Sequence, residues 1–157
     1  MIKLFFLTIS LMLAVSQPPN LEEHYSNDTW EVLLHDVRMR YRFSVEYNSF
    51  VHVPRFGEKI REKEGAEITL RGFFLPADVT GEAFVLSYVP MQMCFFCAGA
   101  GIESVVELHS LLTHQIRFRR LSTDDFIEVR GKLRLNRNDL DHLIYILDDA
   151  ELLQVIK

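Results

Sequence analysis

The chain has 157 residues, 48% of them hydrophobic and 25% charged, with 17 Lys plus Arg against 22 Asp plus Glu. Those proportions belong to one ordinary globular domain and exclude a disordered, collagenous or coiled-coil chain. Seven Gly, five Pro and two Cys are too few for a low-complexity linker or a disulfide-stapled secreted mini-fold, so stability must come from a core.

Lys3 precedes an apolar run from Leu4 to Val15 that closes on the small residues Ala14, Val15 and Ser16. A cationic start, an apolar middle and a small-residue cleavage site before Gln17 read as a signal peptide over residues 1–16. The run is about a dozen residues, short of the ~20 that a bilayer-spanning helix needs. A periplasmic or secreted product with no transmembrane segment after cleavage is therefore expected. The first cysteine is Cys94, so no thiol stands at the cleavage point to be lipidated. Cleavage removes one Lys and deepens the acidic excess, which makes nucleic acid a poor partner.

Residues 17–28 are polar, carry Pro18-Pro19 and show no hydrophobic period, as a flexible leader would; residues 29–157 read as a single domain. Asp28 or Thr29 can cap a short helix starting at Trp30, with Trp30, Val32 and Leu33 turned inward. From Met39 to Tyr47 apolar odd positions alternate with Arg40, Arg42, Ser44 and Glu46, which predicts a strand with one buried face. Residues 54–64 then suggest a charged helix with Phe56 and Ile60 on one side, ended by a left-handed cap at Gly65. Glu67 to Leu75, stopped by Pro76, and Glu82 to Tyr88 form a predicted hairpin across the Asp78 to Gly81 turn.

Ser104 to His109 fits a strand after a brief helical turn, and Phe126 to Leu135 alternates cleanly around Gly131, which marks a bulge or bend. A last strand spans Leu143 to Leu147, with a closing tail from Asp148 to Gln154. Five or six short strands, one or two short helices and no βαβ rhythm predict a mainly β (α+β) fold. The expected architecture is a small barrel like the oligonucleotide- and oligosaccharide-binding (OB) barrel.

The segment with unusual chemistry is Met91-Gln92-Met93-Cys94-Phe95-Phe96-Cys97-Ala98-Gly99-Ala100-Gly101-Ile102-Glu103. A C-x-x-C turn lets two thiolates converge on one ion such as zinc, which then needs further ligands. Glu103, Glu107 and His109 are nearest in sequence, with His52 and His24 more distant. Gly99 and Gly101 can take positive φ and let successive amides form an anion-stabilising nest beside the sulfurs. Two other readings stay open: a local disulfide that shapes a partner-binding loop, and a thiol redox pair, which the missing βαβ context disfavours. Met91 and Met93 suit apolar packing of the loop onto the barrel, with thioether ligation of copper as a minor alternative.

Trp30, Pro54-Arg55-Phe56, the run Gly65 to Pro76, and Cys94-Phe95-Phe96-Cys97 with Gly99, Gly101 and Glu103 together resemble a family of small exported bacterial proteins. Val105-Val106-Glu107, Val129 to Leu133 and Tyr145 to Glu151 fit the same pattern. The resemblance covers nearly all of residues 17–157, and its C-F-F-C-x-G-x-G-x-E core is fairly specific. It implies an OB-type barrel without an established activity, in some members beside transporter components linked to metal supply. Ala98 stands where a glycine is expected and Ile102 where proline is common, which loosens the loop analogy.

No G-x-S-x-G, H-E-x-x-H, P-loop or dinucleotide fingerprint is present, so no motif supports an enzyme. Asp124-Asp125 and Asp148-Asp149 suit turns at strand edges. Arg117, Arg119, Arg120, Arg130, Lys132 and Arg134 fit a solvated sheet face better than a polyanion site, and His35, His114 and His142 look isolated. The expectation is an exported, non-catalytic protein that binds a metal, zinc first and copper second, at Cys94 and Cys97. Glu103 and His109 complete the set, and a metal-related transporter component is the partner.

Overall fold

The computed structural model describes residues 28–77, 83–93 and 100–156. Helix α1 (Asp28–His35) leads into β1 (Val37–Ser44) and β2 (Ser49–Phe56), followed by α2 (Glu58–Glu62), β3 (Glu67–Pro76) and β4 (Phe84–Ser87). Two 3₁₀ turns, Met91–Met93 and Ile102–Ser104, precede β5 (Val105–Ser110), α3 (Leu112–Phe118), β6 (Phe126–Leu135) and β7 (Tyr145–Val155).

The last five strands close in the order β3-β4-β5-β7-β6, with β5 and β7 parallel and the other pairs antiparallel. A helix between the third and fourth barrel strands completes an OB-like α+β domain. Alternation places Leu70, Phe74, Leu86, Val106, Leu108, Val129, Leu133, Tyr145 and Leu147 in one core. The other side chains of each strand face outward.

Helix α1 contributes Trp30 and Leu33 to that core, as its sequence predicts. The Trp30 indole donates to the Arg71 carbonyl at 2.7 Å and lies 5.4 Å from the Tyr88 ring. The Tyr145 hydroxyl donates to the Leu33 carbonyl at 2.7 Å, fastening α1 from the other side. Gly65 takes φ +79 and turns the chain from α2 into β3, where its amide reaches the Leu133 carbonyl at 2.7 Å.

Gly131 sits opposite a bulge, as its place in an alternating run suggests. Arg130 pairs with Glu151 while Lys132 pairs with Asp148, so β7 carries one residue more than β6 across this step. A Cβ on Gly131 would lie 2.9 Å from the Asp148 carbonyl oxygen. Asp149 accommodates the extra residue with φ 55, a left-handed conformation that aspartate tolerates better than most residues.

Four expectations need correction. Residues 39–47 do form a strand and turn, but β1 and β2 make a separate two-stranded ribbon, and Tyr41, Phe43, Val45 and Tyr47 are exposed. A period of two reports that a strand has two unlike faces; Met39 at the base of this one packs against the core, and the positions beyond it are left exposed. The stretch 54–64 splits into the end of β2 and the short α2, because the ribbon consumes residues up to Phe56. Leu143 to Gln154 is not a strand and tail, since β7 runs unbroken from Tyr145 to Val155 through Asp148-Asp149, which form a bulge rather than a turn. Helix α3 raises the helices to three among the described residues; its short sequence offers only Phe118 to the core. Asp124-Asp125 do form a turn, with Asp125 accepting from the Ser122 amide at 2.8 Å.

Candidate metal centre on the barrel face

Strand β5 puts Val106 and Leu108 inside and Glu107 and His109 outside, because alternate residues share a face. The loop between β6 and β7 brings His142 to the same place. Asn136 organises that loop: its side-chain amide donates to the carbonyls of Asp139, His142 and Leu143 at 2.6, 3.1 and 3.1 Å. Its oxygen accepts from the amides of Asn138 and Asp139. Glu107 then clamps the loop to β5, accepting from the Leu143 amide at 2.9 Å through Oε2.

The other carboxylate oxygen, Oε1, lies 2.7 Å from His109 Nε2 and 2.7 Å from His142 Nδ1. One donor atom from each of Glu107, His109 and His142 falls within 4.8 Å of the others. Glu107 and His109 are partly buried and His142 is exposed, so the cluster opens to solvent on one side. A tetrahedral zinc with ligands at about 2.0–2.1 Å holds its donors about 3.3 Å apart. The hydrogen-bonded contacts need only small outward movements to accept such an ion, which would keep a fourth position open.

Behind His109 stand Arg134 and Asp148, both on the outer surface. Arg134 grips Asp148 with contacts of 2.6 and 2.9 Å and approaches His109 Nδ1 at 3.3 Å, while Asp148 Oδ1 lies 3.3 Å from the same nitrogen. Nδ1 thus has a donor and an acceptor at equal distance, whereas the Glu107 carboxylate at Nε2 can only accept, which puts an imidazole proton on Nε2. A cation bound at Nε2 would move that proton to Nδ1, where Asp148 can take it in the carboxylate–histidine–metal arrangement that orients such ligands. The parallel register of β5 and β7, Glu107 with Ile146 and Leu108 with Leu147, carries Asp148 to this position.

Burial opposes ionisation of Glu107, but its contacts with His109, the Leu143 amide and His142 outweigh it and hold the carboxyl below its ordinary range. The Arg134 contact lowers Asp148 in the same way, and the Glu107 contact raises His142. In metal-free protein the two carboxylates therefore add stability that is present above their unfolded values near 4 and is lost as pH falls through their folded values. His142 adds stability that is present below about 6.5 and is lost as pH rises through its higher folded value. The urea midpoint is expected to plateau between those limits and fall on both sides. In His142→Ala the alkaline decline should flatten; an unchanged alkaline limb would remove His142 from this network.

The remaining candidate residues are placed as follows. Cys94, Cys97, Gly99 and His24 lie outside the described residues. Gly101 is extended, φ −68, so the positive φ expected of it in an anion nest is not adopted; the Glu103 carboxylate folds back over it instead. Glu103 lies apart from the Glu107 cluster, near Tyr145, whose phenol is pushed up by burial and then by the Glu103 charge. His52 is on the ribbon, 4.0 Å from the Tyr41 ring. Met91 and Met93 are exposed rather than packed on the barrel, and the Met91 amide is held by Asp124 at 2.7 Å.

His142 is the residue whose isolation the structure overturns; 35 positions separate it from Glu107, and only the barrel's closure joins them. His35 pairs with Glu31 at 3.7 Å, and His114 accepts from the Leu152 amide at 3.1 Å. On β6, Arg130 pairs with Glu151 at 2.8 Å, Lys132 with Asp149 at 3.2 Å and Arg134 with Asp148, so its positive charges are matched one by one.

Counted from β3, the cluster lies on the third barrel strand and on the loop joining the fourth and fifth, part of the surface on which OB barrels hold ligands. No protein-family model matches the chain, and no curated protein matches it. Among the described residues no helix is long and apolar enough to cross a membrane.

Proposed function

We propose that this chain is an exported, non-catalytic metal-binding protein that takes a transition metal, zinc before copper, and serves metal handling or a transporter-linked process. The observation that carries the reading is the convergence of Glu107, His109 and His142 within 4.8 Å on the outer face of the barrel. Two imidazoles and a carboxylate are the borderline donor set that zinc accepts, and Asp148 supplies the partner behind His109. Cys94 and Cys97 stay a separate candidate pair, on their C-x-x-C spacing alone.

The test is metal content per chain, by mass spectrometry, on protein recovered from periplasm without chelators. Near one equivalent of zinc is expected, retained in Cys94→Ser/Cys97→Ser and lost in His109→Ala/His142→Ala. Metal lost only from the cysteine variant moves the centre to the thiolates. No metal, with both cysteines resistant to alkylation until reduced, makes the pair a disulfide and ends the metal reading.

A further inference from the structure

The β1-β2 ribbon stands apart from the barrel sheet, and its register sorts its side chains into two unlike faces. Tyr41 pairs with His52, Phe43 with Phe50 and Met39 with Pro54, all on one face. Arg38 pairs with Arg55, Arg40 with Val53 and Arg42 with Val51 on the other. Tyr41 is 72% exposed, Phe50 68% and Val45, at the turn, 87%, an unusual cost for aromatic and branched side chains to bear in water. The rungs are ordered: the Phe43 and Phe50 rings meet edge-on at 5.4 Å.

The opposite face is strongly charged. All four arginines are exposed, and among the described residues none of Arg38, Arg40, Arg42 or Arg55 is paired with a carboxylate, unlike the arginines of β6. Residues 37–56 hold four Arg and one acid, Glu46, within a chain of formal charge −5. Glu46, with Asp139 and Asp141 acting on Tyr47, lies at the tip, which leaves the positive charge along the stem.

From this juxtaposition we propose that the ribbon is a peripheral membrane anchor, lying on an anionic phospholipid surface with its aromatic face in the acyl boundary and its arginines among the headgroups. An interfacial element needs an apolar face rich in aromatics and a polar face rich in basic residues, and this ribbon has both. Tyrosine suits that boundary because its ring is apolar and its hydroxyl remains hydrated. Arginine stems are long enough to bend toward phosphates beside the ribbon. A second copy stacked on the aromatic face would leave all the arginines without counter-charges, so the charge pattern favours lipid. The anchor is independent of metal at Glu107, His109 and His142.

The experiment is co-sedimentation of the purified chain, its N-terminus determined by mass spectrometry, with vesicles of phosphatidylcholine alone or mixed equally with phosphatidylglycerol. Binding is expected only to the mixed vesicles, and it should weaken in 0.5 M salt. Each arginine changed to glutamine should lower partitioning about fivefold. The variants Arg38→Gln/Arg40→Gln/Arg42→Gln and Tyr41→Ser/Phe50→Ser should both release the protein while keeping the wild-type unfolding temperature. Equal partitioning of variants and wild type would overturn the proposal. So would an absence of vesicle binding, whether accompanied by a dimer that Tyr41→Ser/Phe50→Ser dissociates or by retention on poly-glutamate.

Discussion

Glu107→Gln is expected to weaken zinc binding by about 100-fold or more, since loss of even an outer partner of a metal ligand costs about 10–100-fold. The change is nearly isosteric, so the loss would follow from charge and from hydrogen-bond polarity. The glutamate accepts from the Leu143 amide and meets both imidazoles, whereas glutamine has one acceptor oxygen and turns an N–H₂ toward the remaining partners. Some stability should fall with it, about 1–3 kcal/mol for a group left unpaired. His142→Ala separates the two effects when compared at a pH above the raised folded value of His142, where its pairing with Glu107 no longer adds stability. Zinc titration by calorimetry beside thermal unfolding should show affinity falling by a similar factor with little change in unfolding temperature. Unaltered affinity in both variants would exclude the cluster as the metal centre.

The largest stability effect is expected from Trp30→Ala. Trp30 is 1% exposed, and its indole satisfies the Arg71 carbonyl in the middle of β3. Truncating a buried aromatic of this size costs about 3–5 kcal/mol, and the carbonyl loses its partner as well. For a domain of this length the midpoint of thermal unfolding should fall by roughly 10 °C or more. Trp30→Phe retains much of the packing but not the hydrogen bond and should fall between the two. A shift in Trp30→Ala of only a degree or two would mean that α1 is dispensable to the barrel.

The barrel was readable because its two long strands β3 and β6 alternate and the chain is punctuated by residues with backbone consequences, Gly65, Pro76 and Gly131 among them. The ribbon was half readable: the alternation of Met39 to Tyr47 gives the strand but contains no information about whether another surface covers its apolar side. For the candidate site, the spacing Glu107-x-His109 on a strand already puts both groups on one face, a signal available from sequence alone. His142 was not, because a histidine in an irregular loop has no period, and its approach to Glu107 depends on barrel closure and on the Asn136 hydrogen bonds. The same dependence hides Asp148, which alternation turns outward on β7 but which only the parallel pairing of β7 with β5 brings beside His109.

The bulge in β7 has a further effect on how the surface can change over time. Before it, odd residues of β7, Tyr145 and Leu147, point inward; beyond it, even residues, Ala150 and Leu152, do so. The extra residue shifts the strand's parity without moving its core, so the acidic groups near His109 and those paired with Arg130 belong to separately adjustable registers. Substitutions on the Glu151 side of the step can therefore accumulate without re-aiming Asp148, and the outer face of one strand behaves as two independently evolving surfaces.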